Sequence, residues 1–147
     1  MTTIGVIDSG LALAQPKRLV LVITGDGEMP MGLGSLATVA VQAPKNLAVV
    51  VLDNERYGET VQQLTYTGLG TDLAGIAAAS GFASAVMVKG GAELGNFAAA
   101  MWKGRGPMFA QIKVDPEKLP IVLPPREVSY LKNRMRISTL GEACLQQ

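Results

Sequence analysis

Two uninterrupted apolar runs, residues 18–24 (RLVLVIT) and 47–52 (LAVVVL), constrain the fold of this chain more than any other feature. A strand with one wet face alternates apolar and polar residues. A run without alternation reads as a strand buried on both faces, as in a parallel sheet covered by helices. Each run ends in a polar turn: Gly25-Asp26-Gly27 after the first, Asp53-Asn54 after the second. Residues 29–42, between them, carry Leu33, Leu36, Ala37 and Ala40 at helical spacing, and Ala43-Pro44 stops that helix.

The same alternation continues. A polar, glycine-bearing loop occupies residues 55–70, and Asp72 is the expected N-cap of a helix over 73–80 that Gly81 ends. Residues 83–88 read as a strand, 93–102 as a helix and 107–114 as a fourth strand. Methionines 29, 31, 87, 101 and 108 are expected to fill core gaps, and Trp102 to anchor packing at a helix end. Beyond Asp115 come four prolines and a short amphipathic helix near 128–135. The expected fold is therefore three-layer α/β/α with a parallel sheet, as an α/β domain over 1–114 and an extended tail over 115–147.

Composition narrows the chemistry. With 147 residues and 48% hydrophobic content the chain can bury a real core, and only 17% of it is charged. A net charge of +1 gives no electrostatic case for nucleic acid or an anionic membrane, and the apolar runs are strand-sized, too short to span a bilayer. The start lacks the basic segment of a signal peptide, and the single cysteine, Cys144, fits a reducing cytoplasm. The absence of histidine removes the commonest general base and transition-metal ligand. Any metal here should be a hard cation held by oxygen, such as Mg²⁺.

In a parallel α/β sheet ligands bind at the carboxyl ends of the strands, where both polar turns fall. The amides of Gly27 and Glu28, at the start of a helix, suit a phosphate. Asp26 alone would repel one, and becomes useful if a divalent cation lies between. Asn54 offers a hard amide oxygen, and the loop after it offers free carbonyls. Gly-Asp-Gly by itself is a common turn, as is Asn after a strand. The joint spacing is the informative feature: twenty-six residues, one helix and one strand, separate Gly27 from Asn54.

That spacing resembles the signature of the thiamine-diphosphate enzyme family. The stretch TGDGEMPMGLGSLATVAVQAPKNLAVVVLDNERYGET, continuing through TDLAGIAAASGF, is similar to the small or C-terminal subunits of phosphonopyruvate and sulfopyruvate decarboxylases. The resemblance implies that Asp26, Asn54 and the carbonyl of Arg56 bind Mg²⁺. It further implies that Gly25, Asp26, Gly27 and Glu28, with Asn54, Arg56, Tyr57 and Gly58, hold the cofactor's diphosphate. Glu59 and Thr60 fall where related enzymes face the thiazolium, although Glu59 reads equally as a solvated loop carboxylate. The activating glutamate of this family lies on a pyrimidine-binding domain that this sequence does not contain, so it is expected from a partner subunit or domain within a hetero- or homo-oligomer. Related subunits carry a further strand and helix before the segment GLALAQP, which are expected to be missing here, and the position that should bend the cofactor is Met1, followed by Thr2 and Thr3. The activity implied is decarboxylation of a small 2-oxo acid. The alternatives are an acetolactate-synthase-like carboligase, a 2-oxo acid oxidoreductase subunit, and a non-catalytic cofactor-binding or assembly module.

Overall fold

A computed structural model of the chain describes residues 6–117, 120, 122–142 and 144. The chain divides into two compact units, residues 1–117 and 118–147. The first begins with helix α1 (Val6–Ala14), followed by β1 (Val20–Gly25), α2 (Ser35–Gln42), β2 (Leu47–Asp53), α3 (Leu73–Ser80), β3 (Ser84–Val88), α4 (Gly91–Met101) and β4 (Met108–Lys113). The four strands form one parallel sheet in the order β1-β2-β4-β3. Met1, Thr2 and Thr3 lie outside the described residues.

The run at 47–52 lies in the interior of the sheet with both faces covered, whereas the run at 18–24, expected to be buried on both faces, is covered on one face only. On one face Val22, Val49, Val51 and Phe109 pack with Ala12 of α1, Leu36 and Val39 of α2, and Leu73 and Ala77 of α3. On the other, Ala48, Val50, Met108 and Ala110 pack with Phe97 of α4. β1 is an edge strand, and its Leu21 and Ile23 stay exposed. The rings of Phe82 and Phe109 meet edge to face, centroids 5.9 Å apart, which fixes the entry to β3 against β4. Asn46 Nδ2 lies within 3.0 Å of the carbonyls of Ala12, Gln15 and Arg18, tying the end of α1 to the start of β2.

Several sequence expectations are met locally. Asp72 caps α3 by accepting the Gly75 amide at 2.9 Å, and Gly81 ends it at φ +101°. Others change. Residues 29–42 split into a 3₁₀ turn (Met29–Gly32) and α2, because Pro30 and the glycines at 32 and 34 interrupt the hydrogen-bond ladder. Leu36 and Val39 carry the buried face of α2, while Ala37 is exposed. Met29 and Met108 fill the core as expected, but Met31 is 72% exposed and Trp102, just past α4, is 74% exposed and anchors nothing. Helix α1 is not among the expected elements, since the N-terminal helix is expected to be missing; it runs into the segment GLALAQP and buries Ser9 and Ala12 while Ile7 and Leu13 stay exposed.

The second unit holds α5 (Val128–Leu140), five residues longer than its apolar pattern indicated. Glu127 caps it by accepting the amides of Ser129 and Tyr130, at 3.1 and 2.6 Å. Arg136 Nη2 donates to the Cys144 carbonyl at 2.6 Å.

Phe109 has no exposed surface and touches the central strands and helices of the larger core. Phe109→Ala should cost about 3–5 kcal/mol of stability, read as a lowered urea midpoint with an unchanged slope.

Candidate functional site at the carboxyl edge of the sheet

Register assembles this site. Thr24 faces Val51 and Gly25 faces Leu52, and the Asp26 amide extends the ladder by donating to the Leu52 carbonyl at 3.2 Å. Asp53 in turn faces Lys113. Side chains two residues apart share a face, so Asp26, Asp53 and Lys113 form a row across three adjacent strand ends.

Asp53 is the saturated member of that row. Its Oδ2 pairs with Lys113 Nζ at 2.8 Å and accepts Gln111 Nε2 at 2.5 Å. Its Oδ1 accepts the Glu55 amide at 3.1 Å and lies 2.8 Å from the Thr67 hydroxyl. Burial raises the proton affinity of this carboxylate, but the hydrogen bonds from Lys113, Gln111 and Thr67 and the charge of Lys113 outweigh it and hold Asp53 below the ordinary carboxylate range. Lys113 shows the mirror effect: burial works against its charge, yet its bonds to Asp53 and Glu55 hold it above the ordinary lysine range. Gln111 is itself locked, its Oε1 accepting the Ala74 amide in the first turn of α3 at 3.0 Å.

Asp26 is the unsaturated member. It is 3% exposed. Its Oδ2 meets the hydroxyls of Thr65 at 2.5 Å and Thr67 at 2.8 Å. Among the described residues no hydrogen bond uses its Oδ1 and no basic side chain pairs with it. Buried carboxylates are normally matched by a cation or by several donors, and among the described residues this one has two hydroxyls on a single oxygen and no cation.

The loop at 55–70 folds back over this edge. Arg56 and Leu64 form an isolated antiparallel bridge, flanked by Thr65 N–H to Glu55 C=O at 3.1 Å and Tyr57 N–H to Gln63 C=O at 2.9 Å. In such a pair the bridging residue turns its own N–H and C=O away from the partner. The Arg56 N–H accordingly meets Asn54 Oδ1 at 3.0 Å, and no hydrogen bond among the described residues uses the Arg56 carbonyl. Asn54 Oδ1 keeps a second lone pair. Glu55 takes the left-handed conformation at φ +61°, held by Asp53 at its amide and Lys113 at its carboxylate.

Gly27 packs tightly under the other turn. A Cβ there would lie 2.7 Å from Cε1 of the Tyr57 ring, so a larger residue would have to push that ring aside. The Gly27 and Gly58 amides have no intramolecular acceptor among the described residues. The Glu28 amide bonds the Gly25 carbonyl at 3.2 Å, its carboxylate accepts the Thr24 hydroxyl at 2.7 Å, and the Tyr57 amide is committed to Gln63. Glu59 is exposed, and the Thr60 hydroxyl bonds Gln63 within the loop. A cleft of about 410 Å³ beside Asn54 and Arg56 is lined also by Lys89 and Lys113.

The two motifs singled out in the sequence therefore lie side by side. What sequence reasoning missed is the layer behind them: Asp53, Thr65, Thr67, Gln111 and Lys113. Their signal was present as polar residues at alternate positions of otherwise apolar strands, and as the threonine pair in the loop, but without the register no partner could be assigned.

Residues 7–112 match the thiamine pyrophosphate enzyme family at its C-terminal TPP binding domain. The chain is 42% identical over 110 residues to the sulfopyruvate decarboxylase subunit beta of Methanothermobacter thermautotrophicus, a match covering 75% of this chain and 56% of that protein. It is 35% identical over 119 residues to the phosphonopyruvate decarboxylase of Streptomyces viridochromogenes, covering 81% of this chain and 30% of that one. The chain thus spans about half, or less, of these relatives. In three dimensions it is similar to the crystal structure of benzoylformate decarboxylase from Polynucleobacter necessarius, with a TM-score of 0.64 and 24% identity over 78% of this chain and 24% of that one. This last likeness speaks to the fold.

Removing the ammonium from the row should be costly. Lys113→Met leaves Asp53 buried without its counter-charge, a loss of about 2–4 kcal/mol at neutral pH. Because the pKa of Asp53 is lowered on folding, its contribution is present above the ordinary Asp value of about 4 and fades as pH falls through the lowered value. The variant, which must bury an unpaired carboxylate, gains from protonation instead. Urea titrations at several pH values should show the gap between the two proteins narrowing as pH drops below about 4.

Proposed function

The chain belongs to the thiamine pyrophosphate enzyme family, as its C-terminal cofactor-binding domain, and from that premise we propose that it is the cofactor-binding subunit of a 2-oxo acid decarboxylase. In this reading Asp26, Asn54 Oδ1 and the Arg56 carbonyl would hold Mg²⁺, which would offset the charge of the diphosphate of thiamine diphosphate. The amides of Gly27 and Gly58 bond the diphosphate oxygens, joined by Glu28 once its long bond to Gly25 opens, with Gly25 allowing the close approach and Tyr57 packed on Gly27.

The observation that carries this reading is the unmatched charge of Asp26. Lys113 pairs with Asp53 and with Glu55, whereas Asp26, buried beside Asp53, meets only the hydroxyls of Thr65 and Thr67 among the described residues. A hard divalent cation is the natural complement, since every free donor nearby is an oxygen. Among the described residues no three acidic, histidine or cysteine side chains converge to cage a metal alone. That suits Mg²⁺, which keeps few protein ligands and completes its shell with phosphate oxygens and water.

Bound there, thiamine diphosphate supplies a carbon nucleophile and an electron sink for the loss of carbon dioxide from a 2-oxo acid. The chain's own part is to fix the diphosphate end and to keep the metal ligands rigid through the layer behind them. The glutamate that activates the cofactor comes from a pyrimidine-binding partner, and the naming of several relatives as beta subunits supports a divided enzyme. The substrate is a small 2-oxo acid like the sulfopyruvate or phosphonopyruvate of the relatives' names, and a cytoplasmic setting suits the lone cysteine. No helix among the described residues is long and apolar enough to cross a membrane.

Isothermal titration of thiamine diphosphate into the chain tests the reading. Binding should require Mg²⁺, vanish in EDTA and fall at least tenfold in Asp26→Ala; equal binding by that variant would refute it. Carbon dioxide release from a 2-oxo acid should appear only on mixing with a pyrimidine-domain partner.

A further inference from the structure

We propose that Thr65 and Thr67 are positioning residues that aim Asp26 at the metal and couple it to the Asp53–Lys113 pair. This rests on the cofactor reading above and adds to it a device that the metal motif itself does not contain.

The case begins with a proton count. Four oxygen–oxygen contacts knit the cluster: Thr65 to Asp26 at 2.5 Å, Thr67 to Asp26 at 2.8 Å, Thr67 to Asp53 at 2.8 Å, and Thr65 to Thr67 at 3.0 Å. Two hydroxyls bring two protons, and both carboxylates are acceptors only when ionised. Two of the four contacts must therefore do without a proton. Thr67 has one hydrogen and two carboxylates at the same distance, so it serves one at the expense of the other.

Both threonines approach Asp26 on the same oxygen, Oδ2. A carboxylate clamped on one oxygen cannot rotate, and its other oxygen, Oδ1, is left as the metal-facing ligand. With the cation on Oδ1, Asp26 gives up charge and becomes the weaker acceptor. The Thr67 hydroxyl then donates to Asp53 while Thr65 keeps the clamp, so the metal-bound form draws on both hydroxyls. Metal occupancy is thereby relayed to Asp53, whose hydrogen bond from the Glu55 amide and pairing with Lys113 hold the loop that carries Asn54 and Arg56. Thr65 and Thr67 are buried and belong to that same loop, so one segment presents two metal ligands and orients the third.

The test reads metal binding directly, with Mn²⁺ as the probe. Electron paramagnetic resonance of free Mn²⁺, titrated into the full chain with thiamine diphosphate, gives the affinity well below each protein's melting temperature. Thr67→Val, which keeps the shape and removes the hydroxyl, should weaken Mn²⁺ by about ten- to hundredfold, the range seen when groups behind a metal ligand are removed. Thr67→Ser should restore affinity to within a few-fold, a rescue that a purely packing role would not give. Thr65→Val, which touches Asp26 and not Asp53, should weaken binding similarly and carries the test if Thr67→Val does not fold. Wild-type affinity in both valine variants, with Asp26→Ala binding-deficient, would overturn this inference and leave the cofactor reading intact. Binding by Asp26→Ala equal to wild type, or none by the wild-type chain, would overturn both.

Discussion

A row of three charges crosses the carboxyl edge of the sheet, and the rest of the site hangs on the ion pair within it. Lys113 satisfies Asp53, and Asp53 in turn fixes the Glu55 amide, the Thr67 hydroxyl and the Gln111 side chain. Gln111 carries the same network to the first turn of α3. A buried ion pair contributes little net stability when its desolvation is counted, but losing one partner is costly. Its consequence here is geometric: it ties down the loop after β2 at Glu55, between Asn54 and Arg56.

Asp26 gains its role by contrast. It lies on the next strand, in the same layer, with the same threonine between, yet no cation balances it. Two carboxylates of one residue type are thus divided by their neighbours: one paired with an ammonium, the other, among the described residues, only with hydroxyls. The parallel register produces this, since Lys113 stands opposite Asp53 and a strand further from Asp26.

Much of the architecture could be read from residues alone, for identifiable reasons. LAVVVL lacks alternation because both faces of its strand are covered, which pointed to the parallel sheet; LVLVIT lacks it too, although one of its faces, with Leu21 and Ile23, stays exposed at the sheet edge. The turns Gly25-Asp26-Gly27 and Asp53-Asn54 could be placed on one rim because parallel strands end on the same side. Helix α1 was not assigned, because its buried residues are Ser9 and Ala12 while its large apolar Ile7 and Leu13 stay exposed. Trp102 misled because size was taken for burial. The support layer was illegible for a different reason: Thr65, Thr67, Gln111 and Lys113 acquire partners 14 to 58 residues away only once the register is set. The resemblance to a family pointed to the ligands, and the geometry showed what holds them.

The most direct test of the central claim is to locate the cation itself. Crystals of the chain grown with thiamine diphosphate and Mn²⁺ should give an anomalous peak about 2 Å from Asp26 Oδ1, Asn54 Oδ1 and the Arg56 carbonyl. The diphosphate should lie on its far side, over Gly27 and Gly58. A peak in the cleft beside Lys89 and Lys113, or one that omits Asp26, would contradict the account.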